Sequence, residues 1–513
     1  MKKRCGWASA TREALQLLTC GAAASVLLAV GQPVHASEVQ ELERTIERLE
    51  KSRAEQQRKI EQLEERLRQL EQRSAPAPSR EEAERALDQA LEQTGAPRET
   101  QAPSPPATGL VSAAGGRLRL LDLSLDVLAA AGTSTATDDD LGGRLQAGGH
   151  DPLRRGFTLQ QGELSLAGAV DPYLRGEAHV LFTNDLVELE EAFMTTTSLP
   201  HGLEAEFGYM FTEYGLINPL HPHAWDWIDQ PVILSRLFGP DGLRSPGMRL
   251  AWLTPLPWFS EVHLGVQNAN EGERTFSFVS PDAAGGRPAV KRTTQALSDL
   301  LYLVRWEQFW DLTPQTGLKF GTNLLHGPNS TGSDGQTWIY GLDWKLRWRP
   351  ENNFRGWPFF LWQTEIHKRD YTADFYVPGA SPPPDDGGHG YAHAHGSEEE
   401  STGELPQEPI AGDLLRDAGL YTQVLYGLRY GWAAGLRFEF ASGSRPSIGG
   451  RQNDPLRDDR YRVSPLLVWH PTEYSRFRLQ YNYDNARFLK AGDAHTVWFG
   501  GEILYGAHPA HKY

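Results

Sequence analysis

The sequence predicts an all-β transmembrane barrel of about 16 antiparallel strands preceded by an N-terminal α-helical coiled coil. Three observations predict it. An export leader is followed by no long apolar run, a heptad repeat covers residues 39–70, and after Gly115 the hydrophobic period changes to two residues. The expected division is a signal peptide over 1–36, a coiled coil over 37–73, a Pro-rich linker with a short helix over 74–114, and the barrel over 115–513.

The leader has a basic start at Lys2, Lys3, Arg4 and Arg12, an apolar core from Ala22 to Val30, and Val34-His35-Ala36 as a small-x-small cleavage pattern. Its core is too short to span a bilayer. A lipid attachment at Cys20 is the weaker reading, because the apolar run follows that cysteine. Cleavage removes Cys5 and Cys20, the only 2 cysteines, so no disulfide framework holds the mature chain. A closed barrel serves instead. Loss of a leader with four basic residues and one acidic takes the formal charge from −16 to −19, which argues against nucleic acid as a partner.

In the heptad, Val39, Ile46, Arg53, Ile60 and Leu67 occupy position a, and Leu42, Leu49, Gln56, Leu63 and Leu70 occupy position d. Arg53 and Gln56 form a polar layer that costs stability and fixes register. The run Arg66-Leu67-Arg68-Gln69-Leu70-Glu71 resembles a pattern of trimeric coiled coils. Pro76 and Pro78 end this helix, a short helix follows over 80–93, and 96–109 is a Pro-rich linker.

The clearest strand is 335–349. Trp338, Tyr340, Leu342, Trp344, Leu346 and Trp348 fall on one face, with Asp343, Lys345, Arg347 and Arg349 on the other. In a barrel in lipid the aromatic face points outward and the charged face lines a wet lumen. Leu436, Phe438 and Phe440 oppose Arg437 and Glu439 in the same way. The spans expected are 117–127, 157–169, 174–182, 186–197, 203–211, 247–255, 259–268, 298–312, 316–326, 335–349, 357–371, 418–430, 432–443, 459–470, 475–485 and 495–506. Short turns such as Asp171-Pro172 and Tyr430-Gly431 alternate with longer polar loops over 212–246, 269–297, 372–417 and 444–458. An even strand number leaves both barrel ends, and the coiled coil, on the short-turn side. Trp252, Trp258, Trp306, Trp310, Trp348, Trp357 and Trp469 near strand ends fit interfacial girdles.

The stretch Phe211 to Trp227 (FTEYGLINPLHPHAWDW) and the tail Gly506 to Tyr513 (GAHPAHKY) resemble bacterial outer-membrane porins of the phosphate-selective-porin-like superfamily, in a poorly characterised histidine-containing subgroup. The resemblance covers about residues 115–513. It implies a 16-stranded channel, often a homotrimer, set in outer-membrane lipid and lipopolysaccharide, with a third loop that folds into the barrel. The coiled coil would then lie in the periplasm and reach toward the cell wall. No arginine ladder is legible that would single out phosphate.

Lumen or constriction positions are expected at Glu188, Glu190, Glu204, Glu206, Asp226, Asp229, Arg236, Arg305, Lys345, Arg347 and Arg437. Further inward charges include Glu163, Glu177 and Arg478, alongside His179. Opposed signs across a narrow pore would set a transverse field. His221 and His223 in the third loop, with carboxylates nearby, have the residue types of a transition-metal site; a packed aromatic loop is the plainer reading. His389, His393 and His395, followed by Glu398, Glu399 and Glu400, form a His-rich tract in the sixth loop. No cofactor is required, and zinc enters only through the metal reading. Motifs for nucleophilic, zinc-hydrolase or phosphate-loop chemistry are missing from the sequence, so no enzyme is expected. The function expected is passive diffusion of small polar or ionic solutes. The alternatives are a divalent-metal channel with a capture loop, and a non-conducting adhesin or scaffold.

Overall fold

A computed structural model describes residues 121–184, 186–378, 408–443 and 457–506. These all belong to one compact unit, Pro105–Tyr513. The signal peptide, the coiled coil, the linker, the His-rich tract at His389, His393 and His395, and the C-terminal tail lie outside the described residues.

The described residues form a closed barrel in which every strand pairs antiparallel with its sequence neighbours and β1 closes on β16. The strands are β1 Asp122–Ser134, β2 Gly156–Ala169, β3 Leu174–Phe182, β4 Val187–Thr196, β5 Leu203–Phe211, β6 Arg244–Leu253, β7 Phe259–Asn268 and β8 Leu300–Thr313. They continue as β9 Thr316–Pro328, β10 Gln336–Trp348, β11 Phe359–Ala373, β12 Asp413–Arg429, β13 Trp432–Gly443, β14 Arg460–Thr472, β15 Ser475–Ala486 and β16 Asp493–Gly506. Closure satisfies every strand edge, which a sheet in hydrocarbon requires.

The side-chain alternation runs inside out relative to a soluble sheet. On β13, Leu436, Phe438 and Phe440 are 48%, 42% and 38% exposed, while Arg437 and Glu439 are each 1% exposed. On β10, Tyr340 and Leu342 are exposed and Asp343 is buried. Apolar outside and charged inside is the pattern of a lipid-facing barrel.

The largest boundary shifts are in β1, which runs over Asp122–Ser134 where 117–127 was expected, and in β12, which begins at Asp413 where 418 was expected. The added part of β1, Leu128–Ser134, is dominated by alanine and glycine and has a weak strand signature. Its reason lies across the ladder: Gly132 pairs with Trp498, and a Cβ there would stand 2.1 Å from the indole.

Two bulges interrupt the inner alternation. Leu128 pairs with Gln161 but Ala129 with Leu159, which turns both Gln160 and Gln161 inward. His179 pairs with Glu191 but Val180 with Leu189, which buries Glu190 and Glu191 together. An extra residue re-aims side chains locally.

Several connections on one end are long loops that fold into the lumen. L3 (residues 212–243) crosses the barrel. Its helix α1, Val232–Phe238, is buried along its whole length. Tyr214, Ile217 and α1 pack on the inner faces of Leu301, Leu303, Leu325 and Ile339, with Phe278 of L4 (269–299). L1 (135–155) places Leu141 and Leu145 beside Ile228 and Trp498. The outer half of the lumen therefore contains an apolar core built from loops.

Candidate functional site

L3 is held to both walls by polar contacts. Near its start, the Gly215 amide donates to Asn323 Oδ1 at 3.0 Å and the Ile217 amide to Glu365 Oε1 at 3.1 Å. Gly215 has φ +70°, and a Cβ there would meet Glu365 Oε2 at 2.1 Å, so the close approach requires glycine. Farther on, Trp227 Nε1 donates to the Ser464 carbonyl at 3.0 Å. The anchor is Asp229, which is fully buried. Arg437 donates to its Oδ1 and Arg462 to its Oδ2 at 2.8 Å, while Gln480 and Asn482 each add a bond at 2.7 Å. Burial alone would push this carboxyl up; the two guanidiniums and two amides hold it well below the usual carboxylate range.

The wall formed by β2, β3 and β4 holds a histidine–carboxylate cluster. Glu163 on β2 is fully buried and meets three imidazoles: His221 Nδ1 at 2.8 Å, His223 Nδ1 at 3.0 Å and His179 Nδ1 at 3.1 Å. His221 Nε2 lies 2.7 Å from Glu191 Oε2, and the Phe211 amide donates to Glu191 Oε1 at 2.7 Å. Glu190 Oε2 stands 3.4 Å from His221 Nδ1. Burial disfavours charge on both imidazoles, but Glu163 and Glu190 hold His221 well above the ordinary histidine range, and Glu163 raises His223.

Ser165 and Glu163 both approach His179, yet both meet Nδ1. A relay needs hydroxyl and carboxylate on opposite ring nitrogens, so this is not a nucleophile–base arrangement.

Toward the short-turn end, L3 separates two cavities of opposite character. One of about 440 Å³ is lined by Lys319, Lys345, Arg347, Arg349 and Arg476, with Asp226, Glu473 and Glu502. The other, about 530 Å³, is lined by Glu177, Glu191, Glu204, Glu206 and Glu213, with Arg175. Leu220 and His223 border both.

Of the expected lumen residues, Glu204, Glu206, Asp226, Lys345 and Arg347 thus line open space. The others face inward but are buried in contacts. Glu188 binds Arg244 at 2.6 Å, Arg305 binds Asp343 at 2.8 Å, Arg437 binds Asp229, and Arg236 Nη2 donates to the Asp458 carbonyl at 2.8 Å. Glu190 sits beside His221. Inward arginines also run along adjacent strands at Arg437, Arg460, Arg462 and Arg478. They hold Asp229, Asp484, Glu439 and the L3 carbonyls of Trp225 and Trp227. Glu191 escaped the sequence reading, because strict alternation from Glu190 points it at lipid.

No family model matches the chain. A protein of Aquifex aeolicus (strain VF5), described as uncharacterized, is 26% identical over 377 residues, which is 71% of this chain and 73% of that protein. Among solved structures, the outer membrane channel DcaP of Acinetobacter baumannii is similar at 10% identity and TM-score 0.47, over 75% of this chain and 97% of that one. An anion-selective porin from Comamonas acidovorans is similar at 6% identity and TM-score 0.42, over 75% and 98%. The trimer form of OmpT, an outer membrane protein of Vibrio cholerae, is similar at 7% identity and TM-score 0.41, over 75% and 99%.

Proposed function

We propose that this protein is an outer-membrane channel for passive diffusion of small polar or ionic solutes, with L3 as its constriction. One observation carries the reading: a lipid-facing barrel holds, on either side of L3, one wet cavity rich in cations and another rich in carboxylates. Facing charges of opposite sign orient water and polar solutes across the path, while the closely packed L3 limits their size. Assembly as a homotrimer in lipid and lipopolysaccharide, with residues 37–73 reaching the cell wall, belongs to the same proposal and rests on the heptad. Swelling of liposomes containing the refolded protein, in sugars of graded size, tests the reading. Entry of small sugars with a sharp size limit is expected; no swelling from a folded barrel would overturn it.

A second reading, a closed barrel with functional loops, is favoured by the apolar core that L1, L3 and L4 build inside the outer half. Liposomes that stay impermeable even to the smallest solutes would select it.

A further inference from the structure

We propose that Glu163, His221 and His223 form a binding site for a divalent transition metal ion such as zinc, with Glu190 as a further donor and Glu191 as the carboxylate that positions His221.

The donor set is imidazole plus carboxylate, which suits zinc, cobalt or nickel better than calcium or magnesium. Its spacing fits. One ligand atom from each of Glu163, His221 and His223 lies within 4.8 Å of the other two, and the two imidazole Nδ1 atoms stand 2.8 and 3.0 Å from Glu163 oxygens. Metal–ligand bonds of about 2.0–2.1 Å in a tetrahedron place neighbouring ligand atoms about 3.3 Å apart, so only small movements are needed.

Two independent features point to a cation. Glu190 is 1% exposed, and neither of its carboxylate oxygens has a hydrogen-bond partner. Its contacts to His221, Arg244 and His150 are long, at 3.4, 3.9 and 4.0 Å, so its oxygens keep lone pairs that a closer cation would engage. The second feature is the far side of His221. With Nδ1 turned to the donors, its Nε2 meets Glu191, which the Phe211 amide fixes in turn. A carboxylate behind a ligating imidazole is the usual support for a metal site, setting ring orientation and tautomer.

The ion has a way in, since His223 borders both cavities and His221 one of them. Three firm protein donors leave a fourth position that Glu190 or water can take, which lets the ion exchange. The bulge that buries Glu190 and Glu191 side by side is what supplies both a donor and a support from one strand. The inference stands whether or not the barrel conducts.

The test uses the mature, refolded chain, free of affinity tag, with His389→Ala, His393→Ala and His395→Ala to remove the donors of the sixth loop. Zinc is measured by equilibrium dialysis and elemental analysis, and cobalt(II) by visible absorption. One ion per folded chain is expected, with the intense visible bands of low-coordinate cobalt. Glu191→Gln should keep that stoichiometry and weaken affinity about 10- to 100-fold. His223→Cys, the only thiol in the mature chain, should add a thiolate-to-cobalt charge-transfer band. Binding that survives unchanged in the His221→Asn/His223→Asn pair would overturn the proposal. If that pair fails to fold, the folded parent decides: no visible cobalt bands at saturating metal would overturn it equally.

Discussion

Asp229 is the point at which L3 is pinned to the basic wall, and replacing it with Asn tests that directly. The substitution keeps the side chain's shape. It removes the charge that faces Arg437 and Arg462, and it turns an amide N–H₂ toward one set of donors that now bond a carboxylate oxygen. Asp229 and Arg462 are both buried, so solvent does little to screen the loss. Removing one partner of a buried ion pair costs about 3–5 kcal/mol. Spread over a docked and a released L3, that shifts the ratio by roughly two to three and a half orders of magnitude. The strand ladder does not pass through Asp229, so heat-modifiable migration on gels should persist. Hydrogen exchange read by mass spectrometry should show faster exchange across residues 212–243 with the strands unchanged. Unaltered exchange in L3 of a folded variant would refute the anchoring role.

Acid should act on the same contact. Because the folded Asp229 carboxyl is held below its ordinary value of 3.8, its stabilisation is complete above that pH and is lost as pH falls through the lower folded value. Protection of L3 amides, corrected for the pH dependence of intrinsic exchange, should therefore fall only below pH 3.8, and unchanged protection down to pH 2 would count against it. On the outer face, Phe438→Arg near the middle of β13 should cost about 2–4 kcal/mol in a refolding titration into lipid, whereas a neutral result would place that face away from hydrocarbon. For selectivity, Glu204→Gln with Glu206→Gln should lower cation preference, and Lys345→Gln with Arg347→Gln should lower anion preference. Reversal potentials in a salt gradient measure both, and unchanged values would mean that the two cavities are not on the ion path.

Much of the barrel is readable from period-two alternation, because a lipid-facing row cannot be polar and a wet row cannot be wholly apolar. Trp338–Trp348 and Leu436–Phe440 carry that signal most clearly. The far part of β1 does not, since alanines and a glycine pack there against the Trp498 ring. Bulges are invisible for a different reason. They change no residue type, only the pairing, so Glu191 reads as outward although its partner His221 is inside. L3 shows a partial signal. Trp225, Trp227 and the run Val232–Phe238 are too apolar for a solvated loop, yet which strands receive them depends on contacts more than 200 residues away in sequence, such as Trp227 with Ser464. His221 and His223 were legible as a pair with metal-type spacing. Their carboxylate partners, Glu163 and Glu191, come from two other strands and can be assigned only in the folded barrel.

Single-channel recording in planar bilayers reads whether the barrel conducts and whether L3 narrows it. The protein lacking residues 1–36 should give discrete, small conductance steps, and Asp229→Asn should give larger or noisier ones as L3 loosens. A folded barrel that stays silent in both forms would contradict a channel and favour the closed-barrel reading.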